Sequence, residues 1–139
     1  MKRISVETRW LEDLAFETEV NGHKIILDAD PQFGGKERGP RPKPLMLSAL
    51  GGCTAMDVIS ILDKMHVKPD GLNVIVEGDL GDEHPVQFEK MHVIYEFKGK
   101  DLPLDKLRKA VELSEEKYCG VRAFYKKTIA LTSEIRIIK

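Results

Sequence analysis

The sequence has little of several things, and each shortage excludes a class. Only two cysteines occur among 139 residues, and they form no Cys-x-x-Cys pair. That removes both a disulfide-dense secreted scaffold and the thioredoxin signature. Charge of neither sign dominates: the formal net charge is −1, whereas a dedicated nucleic-acid binder carries a basic excess. The four histidines, His23, His66, His84 and His92, lack zinc-ligand spacing, so each reads as a turn or surface residue. Gly34-Gly35 and Gly51-Gly52 lack the strand-loop-helix context of a phosphate loop. Met1-Lys-Arg-Ile-Ser leads into alternating residues rather than an apolar run, so no leader peptide is expected and the expected location is cytoplasmic. Repeats and low-complexity tracts are absent. What remains is 42% hydrophobic and 32% charged, the balance of a folded globular chain of one domain, 1–139.

The most distinctive stretch is residues 44–65, which follows Pro44 and is apolar on nearly every face. Proline suits a first helical turn, where its missing N–H costs nothing. The stretch therefore reads as a buried central helix. Gly, Ser, Asp and Lys interrupt it, and on that ground it is not expected to span a bilayer. Gly51 and Gly52 each cost a helix interior about 1 kcal/mol relative to alanine, a cost accepted where a backbone, a partner chain or a substrate must come close. Cys53 follows them directly.

Around this helix the chain alternates. Residues 3–9, 14–20 and 23–29 have strand periodicity, with Asn21-Gly22 as a two-residue hairpin turn. Residues 30–43 form a loop rich in Pro, Gly and charge, long enough to suggest a functional role. Strands are expected at 72–80 and 86–98, the second with Phe88, Met91, Val93, Tyr95 and Phe97 facing inward. Its phase slips between Phe88 and Met91, which points to a β-bulge or a twist there. Residues 103–119 read as a second helix with Leu104, Leu107, Val111, Ser114 and Tyr118 on one face and Gly120 as a left-handed stop. A final strand is expected at 128–138. The order βββ-α-ββ-α-β predicts an α+β fold with helices on antiparallel sheet. A helix apolar all round also needs more cover than one small sheet supplies, which favours a twofold dimer.

The chemistry on offer is thiol chemistry. Cys53 lies beyond the first helical turn, so a thiolate there needs a cation from elsewhere. The candidates are Arg9, Arg38, Arg41, Arg122 and Lys43. Cys119 is expected to end the second helix, where the dipole disfavours a thiolate, and so suits a resolving role. Asp57, four residues after Cys53, shares its helical face; beside a thiolate it opposes ionisation, and a structural role is expected, through an arginine or a backbone cap. Both cysteines also have the plain reading of inert buried thiols.

The run Gly-Pro-Arg-Pro-Lys-Pro-Leu-Met-Leu-Ser-Ala-Leu-Gly-Gly-Cys-Thr-Ala-Met-Asp-Val, residues 39–58, resembles the first-cysteine helix of the OsmC/Ohr family, in its Leu-Gly-Gly-Cys branch. Glu116-Lys117-Tyr118-Cys119 resembles that family's second-cysteine motif, and the element order is similar along the whole chain. The resemblance implies an OsmC/Ohr-like fold, an intertwined homodimer with interfacial active sites, and reduction of organic hydroperoxides or hydrogen peroxide without metal or organic cofactor. By position, Cys53 matches the peroxidatic and Cys119 the resolving cysteine, with an external dithiol as reductant. The family's catalytic arginine lies in the early strands, where Arg9 is the nearest match; Arg38, Arg41 and Lys43 are further candidates for substrate binding or thiolate stabilisation. One departure stands out: where the peroxidases carry a glutamate, this chain reads Pro42-Lys43-Pro44. Two rival readings share the fold, a non-catalytic dimer binding a small hydrophobic ligand and a cysteine redox sensor.

Overall fold

Asn21-Gly22 turns the chain back on itself, with Asn21 at φ 52° and Gly22 at φ 80°, the backbone a tight two-residue hairpin demands. The computed structural model describes all residues, 1–139. Two antiparallel hairpins build the first sheet, in the order β1 (Glu7–Glu12), β2 (Ala15–Val20), β3 (His23–Leu27). β1 lies later than the expected 3–9 because a second tight turn precedes β2: Asp13 takes φ 51° and Glu12 pairs with Ala15. Trp10 caps that turn by donating its indole N–H to the Asp13 carbonyl at 2.9 Å.

The second sheet has the order β4 (Gly71–Leu80), β5 (Phe88–Lys98), β6 (Ala130–Ile138). The inward residues expected on β5 are all buried, since β5 is the central strand. The bulge is there too: Asp79 pairs with Lys90 and Leu80 with Phe88, which leaves Glu89 as the extra residue. Gly78 makes room for it, because a Cβ there would lie 2.6 Å from the Phe88 ring and 2.8 Å from Leu47. One expectation is corrected. β6 pairs with β5 in parallel, so the sheet is mixed rather than antiparallel. Parallel neighbours need a long crossover, and the helices after β5 provide it.

Three helices complete the fold: α1 (Pro42–Lys64), α2 (Leu104–Leu113) and α3 (Gly120–Tyr125). α1 starts at Pro42, two residues before the expected Pro44, with both prolines in the first turn. Its most apolar 18 residues reach a mean hydropathy of 1.8, a length and composition that core helices share with membrane spans. It is also not buried all round. Leu50, Thr54, Val58 and Leu62, spaced by four, form one buried stripe, while Met56 and Ile59 are exposed.

The chain divides into two compact units, Met1–Met46 and Leu47–Lys139. In the second, the α1 stripe, β5 and the α2 residues Leu107, Ala110 and Val111 share one apolar core. Gly51 permits the close approach of α1 to β4: a Cβ on it would lie 3.3 Å from Val76.

Candidate functional site

The expected second helix ends early, and that places the second thiol. α2 stops at Leu113, the chain makes one wide π turn over Ser114–Tyr118, and Cys119 leaves it in extended conformation at φ −77°, ψ 100°. Such π turns cluster at functional sites. Leu107, Val111 and Ser114 face inward as expected, whereas Leu104 and Tyr118 are exposed. Gly120 is not a left-handed stop but the first residue of α3, and Cys119 is the cap ahead of it. Its sulfur accepts the Arg122 backbone N–H at 3.4 Å. The unfavourable helix end expected at Cys119 is thus replaced by a favourable N–H.

α1 delivers the first thiol. Cys53 is half-buried and Cys119 is 3% exposed; both are free. The two sulfurs and a carboxylate oxygen of Asp57 all lie within 4.8 Å of one another. Burial pushes the Cys119 thiol up from its ordinary 9.0 to about 11. The Arg122 N–H pulls it down, and neighbouring Cys53 and Asp57 push it further up.

A chain of hydroxyls runs from this cluster into the core. Ser114 Oγ donates to Asp57 Oδ2 at 3.0 Å and lies 2.7 Å from Thr54 Oγ1, which lies 2.8 Å from Tyr95 Oη. Tyr95 donates to Glu115 at 3.1 Å, as does Ser133 at 3.2 Å, and Arg122 pairs with Glu115 at 3.3 Å. Burial holds the Tyr95 phenol well above its ordinary value. Asp57 is therefore held by a serine, not by the arginine or backbone cap expected for it. Thr54 and Glu115 escaped the sequence reading. A signal existed: Ser114 and Tyr95 are polar residues at positions read as core-facing, and buried polar groups need partners.

The remaining cation candidates lie in the first unit, where the three arginines have carboxylate partners. Arg9 on β1 pairs with Glu17 at 3.8 Å. Arg38 donates Nε to Asp28 at 2.8 Å and reaches Glu12 at 3.3 Å and Asp13 at 3.4 Å. It holds the Asp28 carboxyl, 2% exposed, well below the usual carboxylate range. Arg41 pairs with Glu37 and, at 3.6 Å, with Asp30. Lys43 is exposed in the first turn of α1, ten residues before Cys53. Of the candidates, Arg122 is the one on the same unit as both thiols.

Beside Gly51 and Gly52, a groove of about 400 Å³ opens between α1 and β4, lined by Leu47, Ser48, Gly51, Gly52, Ala55, Val74 and Val76.

A mixed α+β frame of two three-stranded sheets, with one thiol on a long helix and a second beside it after a π turn, defines a two-thiol protein of OsmC/Ohr fold. The chain belongs to the OsmC-like protein family, whose model matches residues 34–134. It is 30% identical to Protein YhfA of Escherichia coli K12 over 136 residues, 97% of this chain and 98% of YhfA. Among solved structures, a protein from Aquifex aeolicus VF5 superposes with a TM-score of 0.84 at 28% identity, covering all of both chains. An organic hydroperoxide resistance protein, OsmC, from Legionella pneumophila shares the fold, with a TM-score of 0.70 at 12% identity over 98% of each chain.

Proposed function

We propose that this chain is a thiol-dependent peroxidase that reduces organic hydroperoxides or hydrogen peroxide through Cys53 and Cys119. The observation that carries the reading is the placement of two free sulfurs, distant in sequence, within 4.8 Å. Cys53 is the more accessible, so it takes the peroxidatic role. Its thiolate attacks one peroxide oxygen; the O–O bond breaks, the sulfur becomes a sulfenic acid, and the other oxygen leaves as alcohol or, from hydrogen peroxide, as water. Cys119 sulfur then attacks the sulfenic sulfur, water leaves, and a Cys53–Cys119 disulfide forms. An external dithiol restores both thiols by exchange. Cys119 suits the second step, since its buried, proton-retaining thiol competes poorly for peroxide.

For the stabilising cation, the family resemblance favours Arg9, with Arg38, Arg41 and Lys43 behind it; proximity in the chain's second unit favours Arg122. The exposed Met56 and Ile59 on α1 support assembly as a homodimer. The experiment is stopped-flow thiol loss in reduced protein mixed with cumene hydroperoxide or hydrogen peroxide, beside Cys53→Ser. Fast loss of two thiols, abolished by the substitution, supports the peroxidase. A rate no better than free cysteine sinks it and favours the second reading, a ligand-binding dimer, for which the groove along Gly51 and Gly52 is the specific observation.

A further inference from the structure

Asp57 is out of place beside a thiol pair whose task is only to form a disulfide. A disulfide uses no carboxylate, yet an Asp57 oxygen and both sulfurs lie within 4.8 Å of one another. A divalent cation accounts for the arrangement, because the carboxylate is then a ligand and the thiolates are neutralised by the metal. We propose that reduced Cys53, Cys119 and Asp57 form a three-ligand site for a thiophilic divalent cation of the zinc class.

The donor set fits. Two sulfurs and one carboxylate oxygen suit a borderline-soft, tetrahedral cation, with the fourth position left to water. Zn–S bonds of about 2.3 Å place two sulfurs about 3.7 Å apart, so a cluster spanning at most 4.8 Å closes on the ion by side-chain rotation of about 1 Å. Cys53 and Asp57 are four residues apart on α1, on one face, and both are half-buried, which leaves an entry path. The outer groups are also set. Ser114 fixes the carboxylate through Oδ2, and the Arg122 N–H is aimed at Cys119 Sγ; such contacts orient metal ligands and stabilise their anionic forms. Binding is balanced as one divalent ion exchanging for two thiol protons, to give a dithiolate-carboxylate complex. The site does not depend on the peroxidase reading, and oxidation of the same two sulfurs to a disulfide removes it.

The test uses the reduced full-length chain without oxygen and the metal alone. Co²⁺ serves as the spectroscopic probe and Zn²⁺ as the competitor, with uptake measured by equilibrium dialysis. Expected are one ion per chain, a thiolate-to-cobalt charge-transfer band that Zn²⁺ abolishes, release of two protons per ion, and at least tenfold weaker binding in Asp57→Asn. Should that variant not fold, wild type alkylated at Cys53 serves in its place and loses the band. Zinc uptake equal in wild type and the alkylated chain, or unchanged by Asp57→Asn, overturns the inference. No peroxide enters the assay, so its failure is separate from failure of the peroxidase.

Discussion

Thr54 and Ser114, on two different helical segments, hold their hydroxyl oxygens 2.7 Å apart inside the core. Thr54 lies midway in a row of three hydroxyls between the Asp57 and Glu115 carboxylates. Three hydroxyl protons therefore serve four links, and with both carboxylates ionised one link has no proton. Ser114 and Tyr95 each keep a carboxylate to donate to when Thr54 is lost. Thr54→Val is accordingly expected to cost about 1 kcal/mol, the net worth of a hydrogen bond, rather than the larger penalty of stranded donors. Urea unfolding measures it, and a loss above about 3 kcal/mol would contradict this proton arrangement.

Accessibility ranks the two thiols. Cys119 is 3% exposed with a thiol pushed up to about 11, whereas Cys53 is half-buried on α1. Iodoacetamide at pH 7.5, a value on the order of ordinary assay conditions, reacts only with thiolate. Mass mapping is expected to find Cys53 modified at least tenfold faster, by the smaller thiolate fraction and lower access of its neighbour. Equal rates would remove the ordering on which the proposed roles rest.

The same shift has a consequence for alkaline stability. A thiol that ionises at about 11 when folded and at 9.0 in the ordinary state binds more protons in the native chain across that interval. Its contribution is present in full below pH 9.0 and is lost as pH rises toward about 11. Chemical denaturation between those limits is expected to show falling stability, with a shallower slope in Cys119→Ala. An identical slope in the variant would assign the decline to other groups.

Much of the second sheet was legible because side chains on a half-buried strand alternate with a period of two. Phe88, Met91, Val93, Tyr95 and Phe97 named the inward face of β5, and the slip between Phe88 and Met91 named the bulge at Glu89. Periodicity does not encode strand direction, so the parallel β5–β6 pairing was invisible. Helical spacing ran unbroken through Ser114 to Tyr118, which concealed the π turn and displaced Cys119 from a helix end to a helix cap. The meeting of Cys53 with Cys119 is a tertiary fact, reachable from the sequence only through a family resemblance. Asp57 was placed on the right face, but its partner Ser114 comes from another segment, and local spacing carries no trace of it.

Gly51 and Gly52 are adjacent in sequence but differ in what surrounds them. A Cβ on Gly51 would press on Val76 at 3.3 Å, so β4 must yield by a few tenths of an ångström; one on Gly52 would meet nothing within 4 Å. Alanine gains about 1 kcal/mol over glycine inside a helix. Gly52→Ala is therefore expected to raise the unfolding free energy by about 0.5–1 kcal/mol. Gly51→Ala should gain less, because the shift at Val76 offsets part of the helix preference. Urea unfolding of the two variants at one chain concentration decides the order. A loss at residue 52 would mean that another chain or a ligand fills the groove there, and the glycine would then be kept for that close approach rather than for the fold of the single chain.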